Sequence, residues 1–329
     1  MNPITSFIEW VIQPLLETSE PTINKSKLST VNTILYRPAI FNEYIGQENT
    51  KLKLSKYITG VKQRNLIFPH TLILGPSGMG KTTLTKVLAN ELKVPIISNI
   101  ASEIITTNHL IDLIYDVNEG IVFLDEIHSM PREIAEKLYP MMEDFQFKGQ
   151  NLPYFTLVGA TTELGEILKN RKPFVYRFKQ HLELEKYNIQ DLIKIVRQYK
   201  EHAFPNEIIR EEIYEIIARN ARNNPRTLIS LLEATIYFNG DIGAVLETCN
   251  IIKDGFTRTD IKLLVYLAHN PKGVGLESIT GYLDTSAINY KYEIEPYLLQ
   301  EGMILKTGRG RIISDQGILF LQRLGVKYV

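Results

Sequence analysis

From Thr71 onward short apolar runs alternate with longer amphipathic stretches: TLIL, then TTLTKVLANELK, VPIISNI, GIVFLDEI and, later, FTLVGATT. Short apolar runs bounded by turn residues read as buried strands, and the stretches with apolar residues three and four apart read as helices. Their alternation predicts an α/β fold, a parallel sheet with helices on both faces, with chemistry gathered where the strands end. Beyond about Glu185 the strand pattern stops, and IQDLIKIVRQYKEHAF, EIIREEIYEIIARNA and PRTLISLLEATIYF carry helical spacing throughout. From about Phe256 the texture changes again, to helical IKLLVYLAHN, a PKGVG loop, helical LESITGYL, a third helix through NYKYEIEPYLLQEG, and then MILKTGRGRIIS. Three helices followed by strand, Gly-Arg turn and strand predict a winged helix. The expected organisation is an N-terminal extension (1–35), a large α/β domain (36–185), a small all-helical domain (186–256) and a C-terminal winged helix (257–329).

Composition narrows the class. At 329 residues, 44% apolar and 22% charged, the chain has ordinary globular composition and enough length for two or three domains. Its 37 basic residues balance its 37 acidic ones, so a polyanion must be met by a local patch. One such patch is visible: from Thr257 to Val329 nine Lys and Arg face seven acids, and three of the nine, Lys306, Arg309 and Arg311, fall in one strand–turn–strand. A focused charge of this kind suits phosphates and is silent on base sequence. The single cysteine, Cys249, excludes an internal disulfide framework and fits a reducing, cytoplasmic setting. The scattered histidines predict no metal-ligand cluster. No run reaches the length and apolarity of a membrane span. The N-terminal MNPITSFIEWVIQPLLETSEPTINKSK has Phe7, Ile8, Trp10, Val11, Leu15 and Leu16 but no Lys or Arg before Lys25, unlike a targeting peptide. It predicts a short amphipathic helix, stopped near Pro14, that packs on the body or on a neighbouring subunit.

Candidate chemistry sits at the strand ends. Gly75-Pro-Ser-Gly78-Met-Gly80-Lys81-Thr82 fits G-x-x-x-x-G-K-[ST] between a strand and a helix, the context a phosphate-binding P-loop requires. Its backbone N–H groups would close around phosphates, Lys81 would reach the β and γ oxygens, and the Thr82 hydroxyl would ligate magnesium. About forty residues on, Ile121-Val-Phe-Leu-Asp125-Glu126 ends a buried strand in two carboxylates. Asp125 would hold magnesium through water, and Glu126 would orient and polarise the attacking water. His128 reads as a packing or capping residue. FTLVGATT ends in two hydroxyls; Thr162, with Thr161 as the near alternative, is placed to sense the γ-phosphate or the water. Arg226, opening a helix after Pro225, could reach phosphate or form a salt bridge.

Together these features resemble the AAA+ ATPases. Arg37-Pro38 with FNEYIGQ, GPSGMGKTTL, FLDEIH, LYPMMEDF, LPYFTLVGATT, NPR, and above all EPYLLQEG with KTGRGR narrow the resemblance to the RuvB family of Holliday-junction branch-migration motors, from about Arg37 to Arg311. The resemblance implies a hexameric ring that uses ATP and Mg2+ to pull duplex DNA from a four-way junction in recombination and repair. It implies adenine near Tyr36, Arg37, Tyr44 and Ile45, and phosphates on Gly78, Lys81, Thr82 and Thr83. Tyr187 and Arg226 match lid contacts to nucleotide, and Arg177 matches a trans-acting arginine finger. Glu143, Asp144 and Phe145 match a segment near the neighbour's nucleotide, and Lys306 and Arg311 match the basic pair of the wing that touches DNA backbone.

Three departures stand out. Only QFKGQN separates Phe145 from Leu152, where the family carries a long β-hairpin that docks its partner RuvA. RKPFVYRFKQ replaces the family's PLRDRFG, so Arg171 competes with Arg177 for the finger role. The wing has Lys306 where arginine is usual, which keeps charge but loses the planar fork. A nucleotide-switched DNA-binding loader or regulator would keep both P-loop and wing, but only a motor needs Glu126 and a trans arginine together.

Overall fold

The structure is a computed structural model and describes residues 36–326. The amphipathic N-terminal helix expected from the sequence lies outside them. Helix α1 (Glu48–Arg64) leads into β1 (Thr71–Leu74), and the P-loop follows, opening α2 (Lys81–Leu92). Then come β2 (Ile96–Ile100), α3 (Thr107–Val117), β3 (Ile121–Asp125) and α4 (Arg132–Asp144). A hairpin of two-residue strands, β4 (Gln146–Phe147) and β5 (Gln150–Asn151), precedes β6 (Thr156–Thr161), α5 (Leu164–Val175) and β7 (Gln180–Glu183). Five strands form one parallel sheet in the order β2-β3-β6-β1-β7. Alternate side chains feed two cores: Ile73, Phe123 and Val158 meet Leu84 and Leu88 of α2, while Leu72, Val122 and Leu157 meet α3 and α4 through Leu110, Ile114 and Leu138. This layering delivers the ends of β1, β3 and β6 to the start of α2. Strand β7, QHLE, has no apolar run and was not expected; as an edge strand it alternates, burying Gln180 and Leu182 only.

Helices α6 (Ile189–Ala203), α7 (Glu211–Asn220), α8 (Pro225–Tyr237) and α9 (Ile242–Thr248) follow. Asn188 and Asn224 cap α6 and α8 by accepting from Asp191 N and Arg226 N, and Pro225 opens α8, where its missing N–H costs nothing. Their apolar faces, including Leu192, Val196, Ile217 and Leu228, join the core on the α2 side of the sheet. The all-helical expectation for this stretch needs one correction. A small antiparallel hairpin, β8 (Ile251–Lys253) with β9 (Phe256–Thr257), closes it, too short to register as periodicity.

The C-terminal part has its own core around Leu263, Leu267, Ile279, Tyr290, Leu298 and Leu321. Helix α10 (Arg258–Ala268) opens with a capping box between Thr257 and Asp260, and α11 (Leu276–Leu283) follows. The third helix runs as α12 (Ala287–Asn289), a π turn (Tyr290–Ile294) and α13 (Glu295–Gln300). Pro296 sits in the first turn of α13, and its missing N–H accounts for the slip of the ladder just before it. Strands β10 (Ile304–Thr307) and β11 (Gly310–Ile313) pair antiparallel with Lys306 opposite Arg311, and Val274 bridges Arg311 as a rudimentary third strand. A further helix, α14 (Asp315–Arg323), absent from the sequence expectation, packs Phe320 on Phe256 at a centroid distance of 4.4 Å. Among the described residues no helix is long and apolar enough to cross a membrane.

Candidate functional site

The P-loop folds beneath the turn that opens α8. Gly78 has φ 80, and a Cβ there would lie 2.3 Å from Asn224 Oδ1 and 2.9 Å from Arg226 Cβ, so only glycine fits. Asn224 Nδ2 donates to Ser77 O at 2.8 Å, and Arg226 Nη1 donates to Ser77 Oγ at 3.0 Å. Lys81, 6% exposed, donates to Gly75 O at 2.7 Å and Pro76 O at 3.1 Å. Burial pulls its ammonium below the usual lysine range, opposed by Glu126 and Asp125 and reinforced by Arg226. Thr83 is half-buried in the first turn of α2.

Strand β3 brings the carboxylates to this turn. Thr82 Oγ1 donates to Asp125 Oδ2 at 3.2 Å, placing a hydroxyl and a carboxylate oxygen, both hard donors suited to magnesium, side by side. Among the described residues no group of three or more His, Cys, Asp or Glu converges on a possible metal site. Glu126, with φ 48, turns its carboxylate to His128 Nδ1 at 3.3 Å and to the Thr162 hydroxyl at 3.5 Å. The two threonines part company here. Thr161 is buried against His128 Nδ1 at 3.0 Å and accepts from Glu163 N, whereas Thr162 is exposed beside Glu126.

Two tyrosines close the loop from behind. Tyr187 donates to Tyr44 Oη at 3.3 Å and Met79 O at 3.4 Å, and Tyr44 donates to Gly80 O at 3.4 Å. Burial raises both phenols, so they are neutral donors at neutral pH. Ile45 is half-buried next in sequence. Tyr36 stacks on His202 of α6 with centroids 4.0 Å apart, its buried hydroxyl lacks a hydrogen-bond partner, and Arg37 is exposed.

Arg177 and Glu143 belong to a different cluster. The Arg177 guanidinium lies 4.1 Å from the Tyr139 ring centroid, and its Nη1 donates to Pro173 O at 2.7 Å. Its buried Nε is 3.3 Å from Glu143 Oε1 but makes no hydrogen bond, an ion pair with poor alignment. Glu143, Lys172, Pro173, Tyr176 and Arg177 line an open recess of about 410 Å³. Arg171 instead donates to Met130 O at 2.6 Å, from a kink in α5 two residues before Pro173. Asp144 is exposed, and Phe145 packs edge-on against Tyr154 and Phe155.

The wing differs from the picture of free cations. Glu295, 3% exposed, takes Arg311 Nε on Oε1 at 2.5 Å and Lys306 Nζ on Oε2 at 3.0 Å. Burial pushes this carboxyl up, but the hydrogen bonds and charges of Arg311 and Lys306 outweigh it and leave it below the usual range. Arg311 is 16% exposed and held by Glu295 through Nε; Lys306 remains 55% exposed and Arg309 stands out at the turn.

Residues 36–184 match the Holliday junction DNA helicase RuvB P-loop domain, and residues 253–322 match the RuvB C-terminal winged helix domain. The Holliday junction branch migration complex subunit RuvB of Lactobacillus johnsonii is 35% identical over 312 residues, covering 87% of this chain and 90% of that protein. The chain belongs to the RuvB family. The RuvB of Lacticaseibacillus casei is 34% identical over 306 residues, covering 85% of this chain and 89% of the relative. The solved Thermotoga maritima RuvB Holliday junction branch migration motor superposes with a TM-score of 0.74 at 31% identity, over 88% of this chain and 98% of that one. RuvB membership gives this P-loop nucleotide binding as its business, and the winged helix expected from the C-terminal pattern carries the second match.

Sequence reasoning did not single out Asn224, Gln47, Arg222 or Glu295, and it read His128 as packing or capping. Gln47 exchanges two hydrogen bonds with the Glu185 backbone, which fixes the chain just before Tyr187. Asn224 caps the helix that Pro225 opens, and nothing in that local pattern announces its reach to Ser77.

Proposed function

We propose that this chain is an ATP-driven DNA motor that moves the duplex arms of four-way junctions, acting in the cytoplasm as a homo-oligomeric ring, hexameric by the family resemblance. In this reading residues 36–185 hydrolyse ATP, 186–256 form a lid, 257–329 hold DNA, and 1–35 are an extension. One observation carries it: the chain presents the hydrolytic carboxylate and the candidate finger in separate clusters. Glu126 faces His128 and Thr162, while Arg177 is held by Tyr139, Pro173 and Glu143. A site so divided is completed by a neighbouring copy.

On binding ATP, Lys81 exchanges its own loop carbonyls for β and γ oxygens, and the backbone N–H groups of 78–83 cradle the phosphates. Thr82 and Asp125 would hold Mg2+, which supplies charge neutralisation on the phosphate oxygens. Glu126 orients the attacking water, and Thr162 rather than Thr161 monitors it, because its hydroxyl is the exposed one beside that carboxylate. Tyr36, Arg37, Tyr44 and Ile45 surround the adenine, and Tyr187 and Arg226 contact the nucleotide from the lid. Arg177 enters the neighbour's site through the face shared with Glu143, while Arg171 holds the Met130 turn. Lys306 and Arg309 meet DNA phosphates, and Arg311 holds the hairpin that presents them. A RuvA-like partner would find only the β4–β5 stub to dock on.

The test is Glu126→Gln. The amide keeps size but loses the charge that polarises water, so ATP should bind with wild-type affinity while hydrolysis falls on the order of 10²-fold or more. Equal turnover in mutant and wild type sinks the assignment.

A further inference from the structure

The five-residue turn 222–226 touches the P-loop at one end and the winged helix at the other. Asn224 and Arg226 hold Ser77, as described. Two residues before Asn224, the Arg222 guanidinium donates through Nε to Gly255 O at 2.7 Å and through Nη1 to Glu293 O at 3.4 Å. Its Nη2 pairs with Asp260 Oδ2, and its plane lies over the Tyr297 ring, 4.4 Å from the centroid. Asp260 is 0% exposed; the same oxygen also accepts from Thr257 N and Oγ1, and its Oδ1 has no hydrogen-bond partner. Arg222 is thus the one cation paired with that buried charge among the described residues. Arg222 and Asn223 both adopt the left-handed region, φ 53 and 56, a costly conformation for side chains with a Cβ, and Asn223 adds a bond to Glu301. Glu293 lies two residues before Glu295, the carboxylate that clamps Lys306 and Arg311.

We infer that Arg222 is a positioning residue that makes the nucleotide-contacting turn and the DNA-presenting wing move as one piece, so that each site senses the other's occupant. This rests on the motor reading. The planar fork matters: it binds two backbone carbonyls and Asp260 at once while stacking on Tyr297, which a lysine ammonium cannot do. Coupling between binding sites is reciprocal, so nucleotide changes DNA affinity as much as DNA changes nucleotide affinity; in a motor DNA also raises ATP turnover, a separate kinetic readout of the same link.

The experiment compares wild type, Arg222→Lys and Asp260→Asn as full chains, with duplex DNA, ADP and a non-hydrolysable ATP analogue. The expected result is basal ATPase and nucleotide-free DNA Kd near wild type, with the DNA-stimulated to basal ratio falling toward one. The dependence of DNA Kd on nucleotide, roughly 5–150-fold in coupled systems, should collapse with it. Mutants that melt like wild type and keep both couplings overturn the proposal. Should Arg222→Lys fail to fold, Asp260→Asn decides; should both fail, Arg222 is structural only and the proposal falls. A wild-type protein without DNA-stimulated turnover instead overturns the motor reading, and the nucleotide dependence of its DNA Kd still reads the coupling.

Discussion

His128 stands within 3.3 Å of Glu126 Oε2 and 3.0 Å of Thr161 Oγ1, with Nε2 3.8 Å from Glu163 Oε1. A glutamate in the left-handed region has a strained backbone and few ways to hold its head still, so the ring that touches it sets where the carboxylate points. His128→Ala should lower kcat by roughly tenfold with little change in KM, the pattern of a group that acts on the transition state. His128→Asn, whose amide nitrogen takes the place of Nδ1, should recover most of that loss, whereas His128→Gln should not. Steady-state kinetics on the three variants decide it, and an unchanged kcat in the alanine variant removes the role. The sequence reading had His128 as packing or capping because its partners, Thr161 and Glu163, lie more than thirty positions away. The P-loop itself was readable because its phosphate cradle is one contiguous stretch. Asn224, 147 positions from Ser77, and Tyr187, 143 from Tyr44, enter the same site only through the fold.

Between elements, the sheet was readable in its central buried strands and at the β2 edge, where IISNI still carries an apolar run, and unreadable at the β7 edge. Strands β1, β3 and β6 are continuous apolar runs, while β7 alternates and the β8–β9 hairpin is too short for any period. One polar joint holds this sheet to α4. Leu157 N donates to His70 Nδ1 at 2.8 Å, so Nε2 carries the proton and donates to Met142 O at 3.0 Å. Protonation would set an N–H against an N–H, and burial already pulls the imidazole down to about 4, with the Met142 bond opposing and Lys179 assisting. The folded value lies below the unfolded one, so the unfolded chain binds more protons between about pH 6.5 and 4. Stability should therefore fall as pH drops through that window, by about 3 kcal/mol in all from this residue, a slope that denaturant melts should show and His70→Gln should weaken. The wing offers a second test between elements. Lys306→Ala with Arg309→Ala should weaken DNA binding to all sequences alike and flatten its salt dependence by roughly 0.9 per lost phosphate contact. Arg311→Ala should instead leave Glu295 buried beside Lys306 alone and lower the melting temperature. A wild-type salt slope in the double variant contradicts the contact assignment.

For the whole molecule, a site divided between neighbours, as proposed, would make activity a property of the assembly. If Arg177 completes the neighbour's site, Arg177→Ala should bind ATP normally yet hydrolyse it slowly, since a trans arginine is worth roughly 10³–10⁵ in rate where it has been removed from other phosphoryl-transfer systems. The same loss would follow from a finger acting in its own subunit, so the single variant does not discriminate. Mixing does. A Lys81→Ala subunit is inactive in its own P-loop but still carries Arg177 on the recess beside Glu143, and an Arg177→Ala subunit has an intact P-loop and no finger. Where the two meet in the right order, one intact site forms, so blends of two inactive proteins should hydrolyse ATP, with a maximum at intermediate ratio. Arg171, whose guanidinium is committed to Met130 O inside its own subunit, should give no such rescue when paired with Lys81→Ala. The measurement is DNA-stimulated ATPase across a mixing series, with mixed assemblies confirmed by native mass spectrometry and no RuvA-like protein present, since the hairpin that would dock one is reduced to two short rungs. Confirmed mixed assemblies that stay inactive at every ratio would return the finger to its own subunit, and with it the division of the site between neighbours.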